Sequence, residues 1–305
     1  MASMTEKNIV LLTGEGLGNI VETLPLIATI EKNLGIKVMV VLVSCNKDYC
    51  NIFHNNKALM YEEVTETDIQ NSIGIVKTVW GNHHTKDTIG GHVLGKLKSL
   101  NDLSSQGMRL DRSEVLVYLN AAIDLGIAEK DFVFDVRDYI HKESNEKFDV
   151  VICDGYNYGN TADMWHVKSY KRWPEIVAWA VAKGLSVCSV GHESQYVEGT
   201  VNKTSLNIHD TISLLNGCRM VLSNDTGIYH LASAMGKSGV VVFTFTNTTK
   251  NYDPVFHKSF KLMKRKDLDC MAGCHAHRWW KNCKINHACR DFDGKEIKKI
   301  LEGYM

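Results

Sequence analysis

The sequence predicts an α/β fold of two doubly wound, Rossmann-like lobes, and three observations carry that prediction. First, the chain has 305 residues, 44% of them hydrophobic, enough for two domains of about 100–200 residues each. Second, it opens as strand, glycine turn and helix. Third, after residue 148 the alternation of strand and helix restarts, the pattern of a parallel sheet with helices on both faces. A boundary at 155/156 divides the chain into a first lobe, 1–155, and a second, 156–305, which carries a Cys-rich basic tail (257–290) and a final helix.

The elements follow in order. Ile9 to Leu12 is an apolar run meeting Gly14-Glu15-Gly16-Leu17-Gly18, and Ile20, Leu24, Ile27 and Ile30 then recur at helical spacing. Gly35 closes that helix, and Lys37 to Val43 is a second strand, too uniformly apolar for a sheet with a wet face. Ile73 to Trp80 reads as a strand, followed by a loop from Gly81 to Gly91. Asp111 to Glu114 starts a helix whose apolar face is Val115, Leu119, Ile123 and Leu125, ended by Gly126. Phe148 to Cys153 is a strand. Helices are then expected near 175–182, 208–215 and 227–235, with strands at 185–190, 220–222 and 240–245.

No apolar run approaches the roughly 20 residues of a membrane span, and Met1-Ala2-Ser3-Met4 has neither the basic nor the apolar region of a secretory signal. Nine cysteines are an odd number, and Cys45, Cys153, Cys188 and Cys218 lie in or beside apolar runs, where a reduced thiol packs as a small hydrophobe. A cytoplasmic, reducing location is expected. The formal net charge is zero but uneven: residues 257 to 290 hold nine Lys or Arg against two Asp, a local +7.

Two glycine turns sit where a strand hands over to a helix, and there free backbone amides and the helix dipole favour an anion. The first, Gly14 to Asn19, is a poor dinucleotide fingerprint, because Asn19 fills the third glycine position and no acidic residue ends the second strand. The second is Ser223-Asn224-Asp225-Thr226-Gly227, with His230 in the helix it starts. Amides of Thr226 and Gly227 would meet a phosphate; the plainer alternative is that Asp225 or Thr226 caps the helix and His230 packs in the core.

Three stretches resemble glycosyltransferase family 9, the heptosyltransferase-like family: Leu17-Gly18-Asn19-Ile20-Val21-Glu22-Thr23-Leu24-Pro25, Lys171-Arg172-Trp173-Pro174-Glu175, and Ser223 through Ala232. Their order and separation also match, and two of the three prolines fall inside them. The resemblance implies a GT-B fold, two Rossmann-like lobes with the active site in the cleft between them, a nucleotide-sugar donor held by the second lobe, and no catalytic metal. On that resemblance Lys171, Thr226 and Gly227 contact the diphosphate and Glu193 meets the ribose hydroxyls, with Asp225 and His230 completing the donor-binding set. Charge developing on the leaving diphosphate would be stabilised there. An inverting transfer also needs a base, and Asn19 stands where the family often has aspartate. A carboxamide cannot take the proton, which leaves Glu22, one turn further on, or Glu15 in the turn itself, with Glu22 favoured.

Cys270, Cys274, Cys283 and Cys289 suggest a structural zinc site, with disulfides or free thiols as alternatives, since their spacing is not a repeated C-x-x-C. His83, His84, Lys250 and His257 are candidate acceptor contacts. The acceptor itself is a glycan, including a lipopolysaccharide-type one, or a nucleic acid such as phage DNA with a hydroxymethylated base. The second is suggested by Phe260, Trp279 and Trp280 among the tail's basic residues. A catalytically silent nucleotide-sugar-binding module is the third possibility.

Overall fold

The computed structural model describes residues 7–78, 89–103, 111–140, 143–144, 146–155, 166–268, 274 and 282–305. The chain divides into two compact units, Met1–His141 and Lys142–Met305. The division falls earlier than the expected 155/156 because the strand Val150–Cys153 hydrogen-bonds on both sides within the second sheet.

Among the described residues the first unit is built on five parallel strands: β1 (Asn8–Gly14), β2 (Lys37–Val43), β3 (Ala58–Met60), β4 (Ser72–Lys77) and β5 (Ser99–Asp102), in the order β3-β2-β1-β4-β5. Every residue of β1 after Asn8 and of β2 after Lys37 is buried, as expected of strands covered on both faces. The first helical stretch is broken in two, Leu17–Glu22 and Leu24–Leu34, where a single helix was expected. Pro25 has no N–H to continue the ladder, and the Thr23 hydroxyl donates back to the Ile20 carbonyl at 2.7 Å. Gly35 closes the second helix in the left-handed region.

Strand β4 stops at Lys77, shorter than the expected 73–80, and Trp80 lies outside the described residues. Helix Glu114–Asp124 starts on Ser113, whose hydroxyl accepts from the Leu116 N–H. Its buried face holds Val115, Tyr118, Leu119, Ala121 and Ala122, whereas Ile123 is 40% exposed. At 100° per residue Ile123 has drifted about 80° from Val115 and leaves the stripe.

The second unit carries, among the described residues, six parallel strands: β6 (Val150–Cys153), β7 (Val187–Ser189), β8 (Val201–Asn202), β9 (Met220–Asn224), β10 (Gly239–Val242) and β11 (Phe260–Met263), in the order β11-β10-β9-β6-β7-β8. Its helices include Trp173–Ala182, Ile208–Gly217, Gly227–Ala234 and the final Lys295–Glu302. Val150, Ile152, Leu222 and Val240 of the strands pack with Trp173, Ile176 and Val177, and Ile297 and Leu301 of the final helix close the same core. Strand β11 falls in the segment expected as a basic tail. Phe260 and Met263 are buried there and pair the strand to β10.

In each sheet the chain first adds strands on one side of its opening strand and then crosses to the other. The switch falls between β1 and β4 in the first sheet and between β6 and β9 in the second. Ligand crevices of open α/β sheets lie at such points, beyond the carboxyl ends of the strands.

Candidate functional site

The switch point of the second sheet is crowded and polar. Residue 155, just past β6, must be glycine: its φ is +77°, and an added Cβ would lie 2.6 Å from both Asn224 Cβ and Thr226 Cγ2. The loop after β9 is thereby drawn against the end of β6. Asn224 is buried and fully engaged, donating to the Val242 carbonyl at 3.1 Å and accepting from Trp173 Nε1 at 2.7 Å. Trp173 of the midway motif is thus an anchor for this loop, fixed in turn by edge-to-face contact with Tyr170.

Asp225 is 4% exposed, and its side chain turns inward. Its Oδ2 accepts from Asn251 Nδ2 at 2.8 Å and lies 3.8 Å from Lys168 Nζ, while Oδ1 lies 3.5 Å from His230 Nε2. Lys168 also donates to the Asp225 carbonyl at 3.0 Å. Burial alone would raise the Asp225 pKa, but Lys168 and His230 outweigh it and hold the carboxyl well below the usual carboxylate range. The following helix, Gly227–Ala234, has Thr226 at its N-cap position and no side-chain cap. Neither Asp225 nor Thr226 caps it, contrary to the plainer expectation, so its first-turn amides have no side-chain cap.

His230 is buried and its Nδ1 lies 3.0 Å from Nε2 of His257. His257 is 0% exposed, with its ring in interior hydrogen bonds to His230 and Asp253. Lys171 is exposed, and its N–H donates to the Arg290 carbonyl. The lysine that grips the loop is Lys168, three residues earlier and missed in the sequence because it lies outside the matched stretch. Glu193 is exposed at the start of the 3-10 turn Glu193–Gln195 beyond β7. Lys250 is half-buried in the short helix Thr248–Asn251.

Asp154, directly after β6, was also missed. Its Oδ2 accepts from the Ser169 hydroxyl at 3.0 Å, while Oδ1 is enclosed with no hydrogen-bond partner. Burial pushes its pKa up to about 6, opposed by Ser169 and Arg290. An acid immediately after an apolar strand was the available signal.

In the first unit, Gly14 ends β1 so close to β2 that a Cβ would meet the Val43 carbonyl oxygen at 1.9 Å. Glu15 follows in the left-handed region (φ 71°) and is half-buried, as is Asn19. Glu22, at the end of the helix Leu17–Glu22, is 2% exposed, not the solvated glutamate that a helix surface would give.

His83, His84 and Cys270 lie outside the described residues. Cys274 and Cys289 pack as hydrophobes with Val167 and Phe245, and Cys283 accepts from the His287 N–H at 3.3 Å. The four-cysteine site is therefore not assembled from the described residues. Among these residues no helix is long and apolar enough to cross a membrane.

Two parallel, doubly wound sheets, one in each unit, make this a GT-B fold. Residues 162–275 match the family model described as Glycosyltransferase family 9 (heptosyltransferase). A stretch of 132 residues is 26% identical to lipooligosaccharide heptosyltransferase 2 of Haemophilus ducreyi, covering 38% of this chain and 36% of that protein. The match thus spans about a third of the curated relative's length. The glycosyltransferase family 9 structure from Veillonella parvula DSM 2008 superposes with a TM-score of 0.68 at 14% identity, covering 100% of this chain and 99% of its own. The ADP-heptose lps heptosyltransferase II of E. coli gives 0.63 at 12% identity, covering 86% and 92%.

Proposed function

We propose that the chain transfers a glycosyl group, with inversion, from a nucleoside diphosphate sugar to a saccharide hydroxyl. The observation that carries this reading is the uncapped N-terminus of the helix Gly227–Ala234 at the switch point of the second sheet. Amides of Thr226 and Gly227 hold the diphosphate, Lys168 fixes the loop, Lys171 supplies a mobile positive charge, and Glu193 takes the ribose hydroxyls. In the transfer the bond from the anomeric carbon to the diphosphate oxygen breaks, and its electron pair leaves with the diphosphate. The acceptor oxygen bonds to that carbon, and its proton passes to Glu22. Stabilising the departing charge with preset amides and a lysine is the main contribution of such a site.

A saccharide acceptor is favoured by the heptosyltransferase relatives and by the fate of two arginines among the basic residues near the C-terminus. Arg265 donates to the Ala288 and Asp291 carbonyls and pairs with Asp267, and Arg290 donates to the Ser169 carbonyl. Side chains committed to internal bonds are not offered to a phosphate backbone. The relative's name makes ADP-heptose the first donor to test. Calorimetric titration with ADP should show one site, and incubation with ADP-heptose and a truncated lipooligosaccharide should add one heptose by mass spectrometry. Absence of ADP binding would overturn the donor site; binding without transfer to any saccharide would overturn the acceptor class.

A further inference from the structure

We propose that His257 is a positioning residue for the donor loop: by donating from Nε2 to Nδ1 of His230 it keeps the His230 proton on Nε2 and so holds the Asp225 carboxylate inward. The proton arrangement stands on geometry alone, while its consequence for ligand binding rests on the donor reading above.

The chain of hydrogen bonds has one direction. His257 Nδ1 faces both the Asp253 N–H at 2.8 Å and the Asp253 carbonyl at 3.2 Å. The backbone N–H can only donate, its contact is the shorter, and the carbonyl already accepts from the His257 N–H at 2.8 Å, so that nitrogen presents a lone pair. Asp253 is held in this pose because its Oδ1 accepts from the Val255 and Phe256 N–H groups, both at 2.9 Å. Burial, and then the neighbouring His230, hold the His257 pKa well below its ordinary value, so the ring is neutral and its single proton sits on Nε2. That nitrogen lies 3.0 Å from His230 Nδ1. The ring cannot turn away easily, being stacked on Tyr229 at 4.6 Å and on Tyr252 at 5.6 Å between centroids. His230, accepting at Nδ1, keeps its own proton on Nε2, 3.5 Å from Asp225 Oδ1.

The consequence is for the helix. Asp225 stands one residue before the N-cap Thr226, where a carboxylate turned outward lies close to the first-turn amides and the positive end of the helix dipole. Here His230, Asn251 and Lys168 draw it inward, and the helix has no side-chain cap. Without His257, the His230 proton can move to Nδ1, which places a lone pair against the carboxylate. Asp225 is then repelled from the interior and competes with the diphosphate for the same amides.

Nitrogen-15 NMR of the histidines tests the arrangement, with ADP titration as the second readout. Wild-type His230 is expected as the Nε2–H tautomer; His257→Phe should shift it to Nδ1–H and weaken ADP binding about tenfold, the scale of one hydrogen bond to a charged group. His257→Gln, whose amide can donate from nearly the same place, should restore both. Wild-type His230 protonated on Nδ1, or on both nitrogens, would overturn the proposal, as would a folded His257→Phe that binds ADP like wild type. If His257→Phe does not fold, the wild-type tautomer and the Gln variant decide. Should wild type not bind ADP at all, the donor reading fails while the tautomer result still judges the relay.

Discussion

Asp154 carries an enclosed carboxylate oxygen with no partner and a pKa pushed up to about 6 from 3.8. An acid whose folded value exceeds its unfolded one holds its proton more tightly when folded. Stability is therefore greatest below the unfolded value and falls as pH rises through about 6, by up to about 3 kcal/mol for a shift of this size. Urea unfolding across pH should show that decline in wild type, and Asp154→Asn should flatten it and be the more stable protein at neutral pH. Glu22 makes a contrasting case. Glu22→Gln should lower the transfer rate by about 10²–10⁴ if it is the base, with ADP affinity unchanged, whereas Glu15→Gln should leave the rate near that of wild type. Steady-state rates beside calorimetry separate the two.

At the scale of elements, the end of β6 and the loop after β9 form one unit through Gly155, Asn224 and Trp173. Gly155→Ala would force a Cβ to within 2.6 Å of Asn224 and Thr226 on a backbone at φ +77°; a loss of about 1–3 kcal/mol in stability and weaker ADP binding are expected together. Trp173→Phe keeps the ring but strips a buried hydrogen bond from Asn224, again worth about 1–3 kcal/mol, measured by thermal unfolding. Much of this was legible in the sequence, because long apolar strands and glycine-closed helices declare themselves by period. What was not legible was short or non-local. Strands β3, β5 and β8 have two to four residues and mixed polarity, too little for a period to emerge. Lys168 reaches the loop, and Asp154 reaches Ser169, only through the folding of the second sheet. The His230 to His257 bond joins residues 27 apart, and alone His230 read as a donor contact or a core residue and His257 as an acceptor contact. Lys171 was singled out by its motif, yet the motif's contribution to the loop is made by Trp173.

For the whole molecule, the two units each close a parallel sheet of their own, and the donor reading assigns the nucleotide to the second. Hydrogen exchange with and without ADP should therefore show protection concentrated at about 166–175 and 223–231, with little change in strands β1 and β2 of the first unit, since buried sheet amides already exchange slowly. Equal protection in both units would contradict that assignment. The margins of the sheets have a separate consequence. Among the described residues the outermost strands are β3 with three residues, β8 with two, and β5 and β11 with four each. A second molecule seeking to extend either sheet would find only one or two unpaired backbone groups to grip. The long apolar strands that would seed fibrils lie in the middle, flanked on both sides, so prolonged storage of the folded protein should yield little cross-β aggregate until the sheets themselves open.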